Sequence, residues 1–136
     1  MKVTVNELPS KLTTLGDAFF NAGPNVHITK IPDGIETLNN FTFYLCPNVS
    51  ISEFGSDGSG SKLRDIGLQC FYGAGTGITS LTFNSSVKTI GQNAFADYSE
   101  ASLQNVYFAN SEGSYGGDAA YMGFDSSVNV SYSFTG

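Results

Sequence analysis

Two cysteines, one histidine and twelve carboxylates are the residues of this chain most able to do chemistry. A serine or cysteine nucleophile needs an adjacent base, and His27 is the sole histidine available for that role. It stands in Val26-His27-Ile28-Thr29, where alternation turns it away from the apolar face, so it reads as a solvent-facing strand residue. Cys46 and Cys70, with no cluster of histidines beside them, do not make a zinc site. Packed as small hydrophobes, they are expected to be buried, reduced thiols rather than a disulfide. Asp57-Gly58-Ser59-Gly60-Ser61 starts like a calcium loop. The EF-hand pattern, however, requires Gly at position six and an acidic residue at position twelve, where Lys62 and Leu68 stand. The segment therefore reads as a flexible loop. Gly73-Ala74-Gly75-Thr76-Gly77 lacks the Lys-Ser/Thr that completes a phosphate loop. Glycoside hydrolysis would need two carboxylates across a cleft. Asp17, Asp33, Asp65, Asp97 and Asp125 fall near turns instead, where bonding to backbone N–H groups is the expected role. No catalytic residue, metal ligand or cofactor is assigned, and the chain is read as a non-enzyme.

The elements that would carry these residues are written as a repeat. Leu15-Gly16-Asp17-Ala18-Phe19-Phe20, Leu38-Asn39-Asn40-Phe41-Thr42-Phe43, Ile66-Gly67-Leu68-Gln69-Cys70-Phe71 and Ile90-Gly91-Gln92-Asn93-Ala94-Phe95 share one pattern. The closing phenylalanines are 23, 28 and 24 residues apart (43−20, 71−43, 95−71). Leu12, Ile35, Leu63 and Val87 stand three residues before each leading aliphatic. After each phenylalanine follow Val26, Val49, Ile78 or Leu103, and five residues later Ile31, Phe54, Phe83 or Phe108. In the later copies Leu81/Phe83 and Val106/Phe108 alternate with polar neighbours, as half-buried strands do. The earlier copies are less regular, with Thr29 and Ser52 where Leu81 and Val106 stand. A period of this size indicates stacked units, each burying its apolar face against its neighbours.

These residues resemble the BspA-type leucine-rich repeat, over about Leu8 to Phe108, with Ile31-Pro32 and Cys46 in the family's proline and cysteine columns. The resemblance implies a mainly β fold, a short leucine-rich-repeat solenoid of about four to five turns. It also implies adhesion and protein binding at a surface rather than catalysis. Residues 1–7 are expected to form an N-terminal capping segment and 8–110 the repeats, with a Gly/Ser insertion at 55–61. Residues 111–136 would be a degenerate last repeat, Gly117-Asp118-Ala119-Ala120-Tyr121, closed by a strand over Val128-Asn129-Val130-Ser131-Tyr132-Ser133-Phe134. Val3-Thr4-Val5 is the expected cover at the other end.

Charge narrows the partners. The formal net charge is −6 and the few Lys and Arg are scattered, so the basic stripe that nucleic acid demands is missing. No stretch approaches the roughly 20 apolar residues of a membrane-spanning helix. The first residues, Met1-Lys2-Val3-Thr4-Val5-Asn6-Glu7, lack the apolar core of a signal peptide, which sets the expectation of work without secretion. The leading functional expectation is a non-catalytic structural or binding module. As a phage or virus accessory protein it would decorate a capsid or contribute to a tail or fibre, with host attachment within its reach. It would be assembled in the host cytoplasm and bind virion proteins or a host surface receptor, with glycan and self-association as further options. The alternative is a fragment of a bacterial cell-surface adhesin binding host protein or glycan. The candidate binding face is Lys30, Glu53, Thr82 and Tyr107, each placed by alternation opposite the core.

Overall fold

A computed structural model of the chain describes residues 5–17, 20, 23–58 and 60–133. It is a mainly β solenoid. The short strands β1 (Thr37–Leu38), β3 (Asp65–Ile66) and β5 (Thr89–Ile90) form one parallel sheet in the order β1-β3-β5. A second parallel sheet joins β2 (Glu53–Phe54), β4 (Ser80–Phe83), β6 (Asn105–Phe108) and β7 (Asn129–Ser131) in the order β2-β4-β6-β7. Every pairing is parallel because each turn brings the chain back to the same side running the same way. The interior between the sheets is where the repeated apolar columns meet.

Two ladders of aromatic rings fill that interior. Phe20, Phe43, Phe71, Phe95 and Phe124 stack with centroids 5.5, 5.1, 5.1 and 5.6 Å apart and planes within 16°. Phe54, Phe83, Phe108 and Tyr132 make the second ladder at 5.2, 5.1 and 5.0 Å. The ladders meet edge to face, Phe54 lying 5.3 Å from both Phe71 and Phe95. Offset stacks and edge-to-face pairs each add about 0.5–1.5 kcal/mol beyond burial, so the period of the sequence is converted directly into ring contacts. The leading aliphatics Leu15, Leu38, Ile66 and Ile90 are buried in a separate column, the last three in strand register.

The arc around each ring slot is held by a backbone device. Phe41, Gln69 and Asn93, two residues before the ring, have φ of 60°, 49° and 54°. Leu45, Gly73 and Asp97, two residues after it, have 56°, 64° and 58°. Left-handed conformations cost non-glycine residues about 1–2 kcal/mol each. Their recurrence aims alternate N–H groups at the next turn. Phe41, Phe43 and Leu45 donate to the carbonyls of Leu68, Cys70 and Tyr72 at 3.0, 2.8 and 2.8 Å. Gln69, Phe71 and Gly73 repeat this onto Gln92, Ala94 and Ala96 at 3.0, 2.7 and 2.8 Å. The glycine of the motif has a different cause. A Cβ on Gly91 would sit 2.7 Å from the backbone of Gly67 and Leu68, so the turns can approach this closely only without one.

Irregular turns are repaired by specific side chains. In the two early copies the buried residues are Ile28 and Ile51, one position ahead of the column later filled by Leu81 and Val106. That shift shortens β2 to two residues and takes the Ile51 peptide out of the ladder. The Tyr98 hydroxyl accepts from Ile51 N–H at 3.1 Å and donates to Ile51 C=O at 2.7 Å, two turns away. Tyr98 occupies the slot three after the ring that Gly23, Cys46 and Ala74 fill elsewhere. It passes Gly75, where a Cβ would lie 2.7 Å from its ring.

The Gly/Ser insertion is tied down rather than loose. Ser56 and Ser86 exchange bonds, N–H to Oγ at 3.0 Å and N–H to C=O at 3.0 Å, and Asp57 accepts from Ser85 N–H at 2.7 Å.

The fifth turn departs from expectation. Tyr121 is exposed, and Phe124 takes the ring slot in its place. A helical turn, α1 (Ala119–Met122), intervenes, capped by Asp118, which accepts from Tyr121 N–H at 2.8 Å, and by Gly123 at φ 102°. Its carbonyls on Tyr121 and Met122 receive the N–H groups of Asn93 and Phe95. The closing strand is shorter than the alternation implied, Asn129–Ser131. At the other end Val5 bridges Val26 in parallel. Val3, Thr4, Ala18, Phe19, Ser59 and Phe134 lie outside the described residues.

Candidate binding surface

Strands β2, β4 and β6 bury alternate residues and turn the others outward, and β7 half-buries Val130 between the exposed Asn129 and Ser131. Strand register brings Glu53, Thr82, Tyr107 and Ser131 into one transverse row. Phe54, Phe83 and Phe108 form the buried row beneath. Three of the four residues singled out by sequence are thus brought together. Lys30 is not in a strand; it is exposed and pairs with Asp33 at 3.6 Å, a surface ion pair of little energetic weight. Tyr107 is half-buried rather than exposed. Ser131 was legible in principle, since Val130-Ser131 repeats the Val106-Tyr107 alternation. A second outward row sets Ser80, Asn105 and Asn129 side by side, with Asn129 Nδ2 donating to Asn105 Oδ1 at 3.3 Å. Asn84 Nδ2 donates to Glu53 Oε1 at 3.3 Å, which fixes the carboxylate at one end of the face.

The smaller sheet carries its own polar row. Asp65 sits in β3 between Thr37 and Thr89, and its carboxylate accepts from their hydroxyls at 3.4 and 2.6 Å. It is therefore a rung of a ladder and not the turn-forming aspartate the sequence suggested. Asp125 does form such a turn, accepting from Ser127 N–H at 2.9 Å, and those bonds hold its carboxyl below the usual range. Asp33, Asp97 and Asp125 are dispersed among different turns. Among the described residues, no group of three or more His, Cys, Asp or Glu is placed to hold a metal ion. His27 is exposed, its backbone N–H donating to Val5 C=O at 2.7 Å.

Both cysteines are free and buried. The Cys46 thiol donates to Phe20 C=O at 2.9 Å, replacing a contact that the smaller Ala74 cannot make one turn on. Cys70 fills the small slot before the ring that Ala94 fills next. Burial pushes its thiol from 9.0 up to about 12, against weaker opposing bonds from Phe43 and Thr42. The raised value means the folded chain keeps this proton while the unfolded chain loses it. Stability from this group is therefore complete below about pH 9 and declines as pH rises toward 12. Urea denaturation at successive alkaline pH values should show that decline, and Cys70→Ala should flatten it. An unchanged alkaline limb in the variant would place its origin elsewhere.

Among the described residues, no helix is long and apolar enough to cross a membrane. No curated protein and no solved structure matches the chain. A family model does: the BspA type leucine rich repeat region matches in six copies across residues 2–102. Stacked parallel turns, ring ladders at the repeat period and this match agree, and the chain belongs to the BspA-type leucine-rich repeat family.

Proposed function

We propose that this chain is a non-catalytic recognition module, carried in many copies as an accessory protein of a virus particle. It binds a protein partner through the row Glu53, Thr82, Tyr107 and Ser131, with Lys30 at the margin. The observation that carries this reading is the register of that row across four hydrogen-bonded strands. Side chains mounted on such a frame lose little freedom on binding, which favours contact at low entropic cost. A tyrosine among small polar residues supplies area and a hydroxyl in one group. Two buried free thiols suit a chain that folds in a reducing host cytoplasm before assembly. Display in many copies would turn individually weak contacts into avidity. The second reading is a bacterial cell-surface adhesin for host protein or glycan, supported by the surface association common in this family.

Mass spectrometry of purified particles should find the chain, and antibodies against it should label intact particles. Labelling of bacterial cells, with particles blank, would overturn the virion reading in favour of the adhesin. Tyr107→Ala combined with Glu53→Lys should weaken attachment about tenfold, as loss of an aromatic contact does. Unchanged attachment would remove the row as the contact surface.

A further inference from the structure

The shortened fifth turn leaves part of the fourth uncovered. From ring slot to outer strand the chain takes 10 residues in the fourth turn (105−95) and only 5 in the fifth (129−124). A groove of about 220 Å³ opens where the missing residues would have lain. Phe95, Leu103, Phe124 and Val128 make its apolar walls. Asp97, Glu100 and Asp125 stand at its rim, all exposed, and no Lys or Arg lines it.

Charge along the solenoid sharpens this. Residues 89–136 contain Asp97, Glu100, Glu112, Asp118 and Asp125 with no Lys, Arg or His, a net of −5. Residues 1–88 contain seven carboxylates and all six Lys and Arg, a net of −1, which completes the formal −6. The groove therefore lies at the end where negative charge is not locally compensated. An uncompensated field over a low-dielectric wall attracts cations and raises their rate of encounter.

We propose that this groove docks an arginine- or lysine-bearing segment of a partner protein. The aliphatic stem lies along the half-buried Leu103 and Val128, and the cationic head reaches the carboxylates of Asp97, Glu100 and Asp125. Long basic side chains have that division between an apolar stem and a charged end. Arginine is the better fit of the two, because its planar fork meets carboxylates with paired bonds. Asp125 is pre-set for the role, since the Ser127 N–H holds its carboxylate in place. The surface is separate from the row on β2, β4, β6 and β7, so the two can fail independently.

Titrating the full chain with a short blocked peptide that alternates arginine and leucine tests this, followed by backbone amide NMR shifts. Shifts confined to residues 95–103 and 123–128, weakening as salt rises, are the expected result. Asp97→Asn with Glu100→Gln should lower the affinity about tenfold, whereas Asp57→Asn should not change it. Both substituted carboxylates are exposed, and the shift pattern of each free variant reports whether it is folded; Asp97→Asn alone serves if the pair is not. A peptide with glutamate in place of arginine should not bind. Equal binding of the glutamate peptide, shifts spread elsewhere, no binding, or unaltered affinity in a folded carboxylate variant would overturn the proposal.

Discussion

Phe71→Ala should destabilise the protein by about 3–5 kcal/mol, the range for deleting a fully enclosed phenylalanine. The size follows from position. Phe71 is the middle rung of the first ladder, 5.1 Å from both Phe43 and Phe95, and it also meets Phe54 and Tyr98 edge-on at 5.3 and 5.6 Å. A repeat protein is stable through nearest-neighbour interfaces, so an empty middle rung weakens two of them at once. Urea denaturation of the wild type and variant gives the difference. Phe20, half-buried at the start of the ladder, should cost visibly less on the same change, and equal costs would contradict a stacked-rung model.

Tyr98→Phe removes one oxygen and should cost about 2–6 kcal/mol. That hydroxyl is the partner of both the N–H and the C=O of Ile51, in a site from which water is excluded. Leaving a buried polar group unsatisfied costs about 1–3 kcal/mol, and here two are orphaned together. The phenylalanine keeps the ring contacts with Phe71 and Phe95, so the loss isolates the hydrogen bonds. Hydrogen exchange should show the Ile51 amide losing protection beyond the global change. Retained protection and a loss below about 0.5 kcal/mol would mean that another group takes over, the amount expected of an ordinary surface substitution.

Legibility differed from column to column. The ring slots could be read because a short contiguous motif announces each one and its spacing is nearly constant. Outward residues of β4 and β6 could be read because alternation survives over four residues there. In the early copies Ile28 and Ile51 are buried one position ahead of the later column, and a local pattern does not say which backbone groups that leaves unpaired. The partner of Ile51 is 47 residues away, and nothing near Tyr98 announces the contact. The fifth turn was misplaced because Gly117 to Tyr121 imitates the motif. Asp118 and Gly123 are also the capping residues of a helical turn, and that local preference won. The half-burial of Tyr107 depends on neighbours in adjoining turns and is invisible to period-2 reasoning.

The arcs and strands direct their inter-turn bonds along the stack while the chain itself winds around it. Tension applied between the described ends therefore opens the molecule like thread leaving a spool, one rung at a time, rather than shearing many bonds together. At the measured spacing of 23 to 28 residues, each released turn lengthens the chain by roughly 75–100 Å at about 3.3–3.6 Å per residue. A load would thus meet a series of small yield points, with the shortened last turn and the less regular first turn giving way before the aromatic middle. Refolding from such a state is local, because every turn has only its neighbour to find.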